Sequence, residues 1–185
     1  MKNKTLRMYK KFETDRLILK PTTKLDSELI FRMMNAPKFK KYVGDRNIFS
    51  IKSAENYIEG KMTPQLEMLG YSNYTIILKQ NDIKIGVCGL YNRGGVDGVD
   101  IGFGILPSHE GLGYAFEAAN RLKQVAFKNF NIQSIKAITS KENISSQKIL
   151  NKLNMNLVGT TQLPGENKEI LLYEIDLYNE FVVKK

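Results

Sequence analysis

Residues 106–115 read LPSHEGLGYA, and this stretch joins a predicted strand to the strongest helical pattern of the chain. On its N-terminal side, Val99–Leu106 places apolar residues at alternate positions and predicts a β-strand that Pro107 ends. On its C-terminal side, small and apolar residues recur at helical spacing, namely Ala115, Ala118, Ala119, Leu122, Val125 and Ala126. A strand, a glycine-rich turn and a helix therefore follow one another in the middle of the chain.

The two glycines of this turn, Gly111 and Gly113, suit it to binding an anion. The first turn of a helix has N–H groups without intrahelical partners, and the helix dipole favours a negative charge there. Glycines let a phosphate reach those amides without a β-carbon in the way. Phe116 stands where a dinucleotide fingerprint has its third glycine, and the Gly-Lys-Ser/Thr of a P-loop is absent. On the glycines alone, a diphosphate site and a flexible turn without a ligand have equal weight.

The elements on either side of this centre predict a mixed α/β domain. Before it lie a strand, two helices and two strands: Arg16–Lys20, a helix near Leu25–Asn35, a helix that Ser53 can cap, Tyr74–Lys79 and Ile83–Tyr91. After the long helix lie a strand, a short helix and two strands: Ser134–Thr139, Ile144–Leu153, Leu157–Thr161 and Glu169–Leu177. Strand–helix–strand units are therefore confined to the second half of the chain.

The start of the short helix, Asn143-Ile144-Ser145-Ser146, is a second candidate site. Asn143 is a good helix cap, and Ser145 and Ser146 can satisfy backbone groups of the first turn. The same side chains can instead face the glycine turn and contact its ligand. This segment alone does not decide between the two interpretations.

Composition limits the classes of protein and site. The chain has 185 residues and 21.1 kDa, with 42% hydrophobic and 25% charged residues, which is typical of one globular domain. With one cysteine, Cys88, and one histidine, His109, an internal disulfide and a four-ligand zinc site are excluded, and we expect no metal. No apolar run approaches the ~18 residues of a membrane helix, and the first residues lack the apolar segment of a signal peptide. We therefore expect a cytoplasmic protein.

The formal net charge of +9 is concentrated at the N-terminus. Residues 1–50 hold 13 basic and five acidic residues, and lysine makes up 22 of the 28 basic residues of the chain. Such a surface can steer acidic partners, including RNA or a ribosome. A solvated lysine-rich surface explains it more simply, so nucleic acid is not expected as a partner.

Four motifs together resemble the GNAT acetyltransferase superfamily. The run Gly111–Ala115 with Glu117 is similar to its acyl-CoA signature, and closest to the ribosomal-protein-alanine N-acetyltransferase branch. The runs Glu13–Pro21, Asp100–Phe103 and Asn143–Met155 are also similar to that branch. The resemblance spans roughly residues 12 to 177, and four motifs in the right order are more specific than any one.

The resemblance implies one GNAT-like α/β domain over residues 12–185, after a basic arm over residues 1–11. Its sheet is expected to be mixed, mostly antiparallel and splayed near its middle, with helices on both faces and acetyl-CoA in the splay. The expected diphosphate contacts are the amides of Glu110, Gly111, Leu112, Gly113, Tyr114 and Ala115. The expected pantetheine contacts are backbone groups at Phe103, Ile105 and Leu106, which also polarise the thioester carbonyl, together with Asn143 and Ser146.

The resemblance also implies direct attack by an acceptor amine in a ternary complex. An α-amine titrates near ~7.7 and needs little help, which one water bridged to Asp100 can supply. Glu166 is a weaker candidate base. Ser146 is predicted to protonate the leaving thiolate, although a serine in the first turn of a helix fits that position almost as well.

The acceptor that this branch implies is a protein N-terminal α-amine of the ribosomal-protein type. Two alternatives stay open: a small amine such as a polyamine or an aminoglycoside, and a non-catalytic module that binds acyl-CoA or RNA. The sequence has no acidic cluster to hold a polyamine, which favours the peptide. We expect either a monomer or a homodimer, without membrane contact.

Overall fold

The computed structural model describes residues 9–165 and 168–183. Its described residues form one eight-stranded sheet in the order β1-β2-β3-β4-β5-β6-β8-β7. The strands are β1 (Phe12–Glu13), β2 (Leu17–Pro21), β3 (Asn73–Leu78), β4 (Lys84–Tyr91), β5 (Asp100–Ile105), β6 (Ser134–Thr139), β7 (Asn156–Gln162) and β8 (Glu169–Asp176). Neighbours are antiparallel except β5 and β6, which confirms the predicted mixed, mostly antiparallel sheet.

The sheet is splayed between β5 and β6. These two strands are parallel but share a single register pair, Asp100 with Lys136, whereas β4 and β5 pair along six residues. The backbone N–H of Lys136 donates to the carbonyl of Val99 at 2.8 Å, at the closed end of the splay. Beyond that point the β6-facing edge of β5 runs unpaired among the described residues. This gap at the middle of the sheet is where the sequence predicts a bound acyl donor.

Six α-helices lie among the described residues. They are α1 (Ser27–Met34), α2 (Pro37–Tyr42), α3 (Ile51–Tyr57), α4 (Thr63–Leu69), α5 (Tyr114–Phe130) and α6 (Ile144–Lys152), and a π-helical turn, Ile58–Met62, joins α3 to α4. The apolar stripe of α5 is buried as predicted, with Ala118, Ala119, Leu122, Val125 and Ala126 at most 1% exposed. None of the described helices is both long and apolar enough to cross a membrane.

The two faces of β5 have different neighbours. Val99, Ile101, Phe103 and Ile105 pack with the core that includes α5, as the alternation predicts. On the opposite face, a β-carbon at Gly104 would lie 2.7 Å from Cε of Met33, so α1 packs close to the backbone there. The glycines of β5 therefore make room for the first helices.

Two predicted local features of the first helices were wrong. The N-cap of α3 is Ser50, which accepts a hydrogen bond from the backbone N–H of Ser53; Ser53 itself lies one turn inside the helix. Two helices were predicted before β3, but four lie there among the described residues; Pro37 begins α2, where proline is tolerated because the first helical N–H has no intrahelical partner. The short strand β1, which pairs with β2, was not predicted.

Candidate functional site

The glycine turn before α5 has the backbone that an anion site needs. Gly111 and Gly113 both have left-handed backbones, with φ of +78° and +82°, and Gly113 is the N-cap of α5. A β-carbon at Gly111 would meet no atom within 4 Å, so the approach to the turn is open. A 17-residue helix with open first-turn amides fits the predicted diphosphate.

Arg16, directly before β2, holds this turn from one side. Its guanidinium donates to the carbonyl of Leu112 at 3.1 Å and pairs with the Glu117 carboxylate at 2.6 Å, and it lies 4.5 Å from the ring centre of Tyr114. Glu117 also accepts from the Thr14 hydroxyl and from the backbone N–H of Arg16. The β1–β2 segment and the first turn of α5 are therefore linked by one carboxylate.

Glu117 needs its charge for this role. Partial burial opposes ionisation, but hydrogen bonds from Thr14 and Arg16, with the Arg16 charge, hold the pKa of Glu117 below its usual range. The carboxylate is therefore ionised at neutral pH, and it fixes the turn before any ligand binds.

Lys38 of α2 holds the other side of the turn through an ion pair with Glu110. The Glu110 backbone N–H donates to the carbonyl of Pro107 at 3.4 Å. The amides of the glycine turn that remain for a ligand therefore begin at Gly111. This narrows the predicted set of turn amides from six residues to five.

Of the three predicted pantetheine contacts on β5 and directly after it, two face the splay and one does not. Hydrogen-bonding directions alternate along a strand, and Val99 faces β6, so Phe103 and Ile105 present their backbone groups to the splay. Leu106 differs, because its N–H donates to the carbonyl of Ile85 at 2.8 Å and its carbonyl accepts from His109 at 2.9 Å. Its side chain is buried against Leu29 and Met33 of α1. Leu106 thus ends the strand, and Phe103 and Ile105 face the gap.

The start of α6 lies across the splay. The Asn143 side chain accepts from the backbone N–H of Ser146 at 3.2 Å and so caps the helix. Both residues also line the cavity at the splay. Asn143 and Ser146 can therefore stabilise the start of the helix and still contact a ligand. The side-chain oxygen of Asn143 accepts the helix N–H, and this bond holds Ser146 at the cavity wall.

A cavity of about 760 Å³ opens at the splay on the face of the sheet that carries α1 to α4. Its walls come from β3 to β6, the starts of α6 and the β7–β8 turn, and the helices that precede β3. The glycine turn is not part of its lining. The cavity and the turn are therefore separate parts of the site, with the β5 edge between them.

Asp100 lies at the closed end of the splay, in the cavity wall. It is 1% exposed, and Oδ1 accepts from Nε of Arg93 at 2.9 Å. Burial raises the pKa of Asp100 to about 6, against the opposing charge of Arg93. Arg93 also lies 4.9 Å from the ring centre of Tyr91, whose hydroxyl donates to Asn73. The carboxylate can exchange a proton near neutral pH, and the rest of the cluster keeps it in place.

Sequence reasoning found Asp100, and the structure adds Tyr91, its pairing partner on β4, to the cavity wall. Sequence reasoning missed the partnership of Asp100 with Arg93, and it missed Arg46 and Lys61, which also line the cavity. No motif marks these cations, because their meeting depends on the packing of distant segments. The candidate base Glu166 lies outside the described residues.

Comparison with known proteins agrees with this architecture. The sequence model of a family described as "Acetyltransferase (GNAT) domain" matches residues 16–156. An uncharacterized N-acetyltransferase, p20, of Bacillus licheniformis is 30% identical over 148 residues, which are 79% of this chain and 82% of that protein.

Solved structures share the fold along the chain. A GNAT-family acetyltransferase of Bacillus anthracis superposes with a TM-score of 0.74 at 22% identity, covering 91% of this chain and 99% of that one. The ribosomal-protein-S5-alanine acetyltransferase of Vibrio fischeri gives 0.75 at 17% identity, with 90% and 96% covered. A spermidine N-acetyltransferase chimera from Vibrio cholerae and hSSAT gives 0.72 at 16% identity, with 90% and 98% covered. At these identities the likeness shows the fold and leaves the acceptor open.

Proposed function

The chain belongs to the GNAT acetyltransferase family and is an acetyl-CoA-dependent N-acetyltransferase, and from this premise we propose that its acceptor is the α-amine of a peptide or protein N-terminus. The observation that carries the proposal is Asp100, the one carboxylate among the described residues of the cavity wall. Its pKa of about 6 matches an α-amine far better than a lysine or polyamine amine.

The donor half of the site fits acetyl-CoA. The amides of the turn from Gly111 to Ala115 would hold the diphosphate, because the left-handed glycines leave them open. The edge groups of Phe103 and Ile105 would hold the pantetheine arm and donate to the thioester carbonyl. Bound there, acetyl-CoA supplies a thioester carbon that a neutral amine can attack.

Two side chains would move the protons of the reaction. The acceptor arrives as an ammonium in part, and its proton passes through a water to the Asp100 carboxylate. The amine nitrogen forms its bond to the carbonyl carbon, the carbon–sulfur bond breaks, and the nitrogen gives up its second proton, which replaces any proton that the Ser146 hydroxyl passes to the sulfur. The Ser146 hydroxyl, at the cavity wall beside its capped backbone, donates a hydrogen bond or a proton to the departing thiolate. No covalent enzyme intermediate is needed.

A polyamine fits this cavity less well. Spermidine carries several ammonium groups, which require several carboxylates, and Asp100 is already paired with Arg93. An α-amine near pKa ~7.7 loses its proton to a base of pKa about 6 at a cost of roughly 2 kcal/mol, whereas an amine near ~10.4 costs roughly 6 kcal/mol. The base strength and the charge of the cavity both favour the α-amine.

The test compares kcat/KM for peptides with N-terminal serine or alanine with kcat/KM for spermidine, at one acetyl-CoA concentration. We expect a ratio well above one. The same peptide with an acetylated N-terminus and one internal lysine is the control, and it should not react. A ratio below one rejects the peptide acceptor. Acetyl-CoA binding without turnover of any amine favours a non-catalytic module.

A further inference from the structure

The cavity wall contains a charge imbalance that the reaction does not use. Among the described residues its charged side chains are Arg46, Lys61, Arg93 and Asp100. Arg93 and Asp100 neutralise each other. Arg46 and Lys61 remain, and neither has an ion-pair or hydrogen-bond partner in the described part of the chain. The acceptor side of the cavity therefore carries two uncompensated positive charges.

The backbone around Arg46 is firmly held although its guanidinium has no partner. On one side, the Asp45 carboxylate accepts from the N–H of Asn47 at 2.8 Å and pairs with Lys40 at 3.2 Å. On the other side, Ile48 is 5% exposed, and the Asn35 side chain donates to its carbonyl at 2.8 Å. Half-buried Arg46 is thus presented at a fixed place on the cavity wall.

Lys61 reaches the same cavity from an irregular part of the helical layer. It lies in the π-helical turn between α3 and α4, where Ile58 and Met62 anchor the turn with exposures of 0% and 8%. π-turns interrupt helices at a cost in hydrogen bonding and occur often at functional sites. The turn places an exposed lysine at the rim of the cavity, where it has no ion-pair partner among the described residues.

These cations do not belong to the diphosphate site. The glycine turn that would hold the diphosphate is not part of the cavity wall, and its own neighbouring cations, Arg16 and Lys38, are paired with Glu117 and Glu110. An unpaired guanidinium on a concave wall fits a carboxylate, which it can bind through two parallel hydrogen bonds. An ammonium group would be repelled at the same place.

We propose that the acceptor is an anionic amine, whose carboxylate binds Arg46, assisted by Lys61, while its α-amine points to the splay. This inference rests on the proposed N-terminal acceptor and sharpens it: the peptide has an aspartate or glutamate directly after its first residue. A small amino acid with a side-chain carboxylate shares the chemistry and is the second source that the experiment distinguishes.

The experiment uses three six-residue peptides that start with serine and have aspartate, asparagine or lysine at the second position, together with free glutamate and spermidine. For the wild-type chain we expect kcat/KM for the aspartate peptide to exceed that for the asparagine peptide by about 10-fold or more, the size of one charge-assisted hydrogen bond. Arg46→Gln should remove this preference through KM. The asparagine peptide should change less than about 2-fold.

Charge reversal separates recognition from folding. Arg46→Glu should invert the preference, so that the lysine peptide reacts faster than the aspartate peptide, and a misfolded protein cannot produce an inversion. Arg32→Gln removes an exposed arginine of α1 that does not line the cavity, and it should retain the wild-type preference. Acetyl-CoA affinity should be unchanged in all three variants.

The outcomes distinguish this inference from the proposed function. Equal rates for the aspartate and asparagine peptides overturn the anionic acceptor and leave the peptide acceptor standing. Reaction of free glutamate but of no peptide, lost in Arg46→Gln, overturns the peptide acceptor and supports the anionic amine. Reaction of spermidine alone overturns both.

Discussion

The donor and acceptor halves of the site are built in different ways. The glycine turn and the start of α5 are one continuous segment, and the charged groups around it are paired: Arg16 with Glu117 and Lys38 with Glu110. The acceptor cavity draws its wall from distant segments and keeps Arg46 and Lys61 unpaired among the described residues. On the proposed function, the donor half is ordered before acetyl-CoA binds, whereas the acceptor half keeps two positive charges available for an acceptor.

This difference indicates where specificity lies. A continuous turn that binds a diphosphate through backbone amides, as we propose for the glycine turn, depends little on side-chain identity. An unpaired cation on a cavity wall gains most from the one substrate that neutralises it. Changes in the donor half should therefore affect every acceptor equally, and changes in the acceptor half should affect acceptors differently.

The largest expected effect comes from Gly113→Val. A β-carbon on the N-cap of α5 blocks the approach to the amides, and we expect acetyl-CoA affinity to fall by about 100-fold or more. In the wild-type chain, acetyl-CoA at about 100 times its Kd should add ~2.7 kcal/mol to stability, a rise in Tm of roughly 5–10 °C. In the variant this rise should shrink to roughly 1–2 °C or less at the same ligand concentration.

Gly70→Val is the matched control that separates the backbone strain of Gly113→Val from its effect on acetyl-CoA binding. Gly70 ends α4 with φ +80° and ψ −3°, and Gly113 has φ +82° and ψ 0°, so valine is strained equally at both. Both variants should therefore unfold at a lower temperature than the wild type. Only Gly70→Val should keep the acetyl-CoA shift. Equal shifts in the two variants contradict the diphosphate site.

A smaller effect on the same half is expected from Glu117→Gln. The amide cannot accept from Thr14 and Arg16 as the carboxylate does, so the turn loses part of its order before binding. We expect the Kd for acetyl-CoA, measured by calorimetry, to rise about 10- to 30-fold. The resulting loss of activity should be the same whichever acceptor is used. Glu28→Gln, at an exposed position in the first turn of α1, is the control and should bind normally.

The lowered pKa of Glu117 adds a pH test with a definite sign. An acid whose folded pKa is depressed stabilises the fold above its unfolded value near 4.5, and the contribution is lost as pH falls through the folded value. The stability difference between the wild type and Glu117→Gln should therefore be constant at neutral pH and shrink below about pH 4.5. A constant difference down to pH 2 contradicts the role of the charge.

The two halves also differ in what the sequence could predict. The strand, the glycine turn and α5 are continuous, so periodicity and the positions of Gly111 and Gly113 sufficed to predict their geometry. The acceptor half was only partly predictable: Asp100 was found within a motif, but its partner Arg93 lies across a loop. Arg46 lies in the loop between α2 and α3 and Lys61 in the π-helical turn between α3 and α4, and the helices of this region were the least accurate part of the prediction. Long-range packing produces that surface, and no local pattern records it.

Ser146→Ala tests the residue that we propose to serve both halves, since it lines the acceptor cavity and donates to the thiolate of the acyl donor. If the hydroxyl donates to the departing thiolate, kcat should fall about 10-fold with little change in acetyl-CoA binding. Ser145→Ala is the matched control, since Ser145 is exposed in the same helical turn and does not line the cavity. It should retain the wild-type kcat. An unchanged kcat in Ser146→Ala contradicts the donation to the thiolate and leaves Ser146 only a structural role in the first turn of α6.

The smallest effect on rate is expected from Asp100→Asn, because an α-amine needs little help. Near pH 7 we expect kcat/KM for the peptide to fall about 3- to 5-fold. Below pH 6 the difference should narrow, since the wild-type carboxyl is itself protonated there, and above about pH 9 it should narrow again, since the amine is neutral. Asp97→Asn removes an exposed acid outside the cavity wall and should show no such profile.

The same variant should raise stability while it lowers activity. The folded pKa of Asp100, about 6, lies above its unfolded value of 3.8, so the ionised form is disfavoured in the fold and the wild type loses stability as pH rises from about 4 to 6. Asparagine resembles the protonated form at every pH. At pH 7.5 the variant should therefore be more stable by up to about 3 kcal/mol, a figure that already includes the attraction between Asp100 and Arg93. Thermal unfolding should show a rise in Tm of a few degrees at pH 7.5 that vanishes near pH 4. A fall in Tm at pH 7.5 instead contradicts the raised pKa of Asp100, on which its assignment as the base rests.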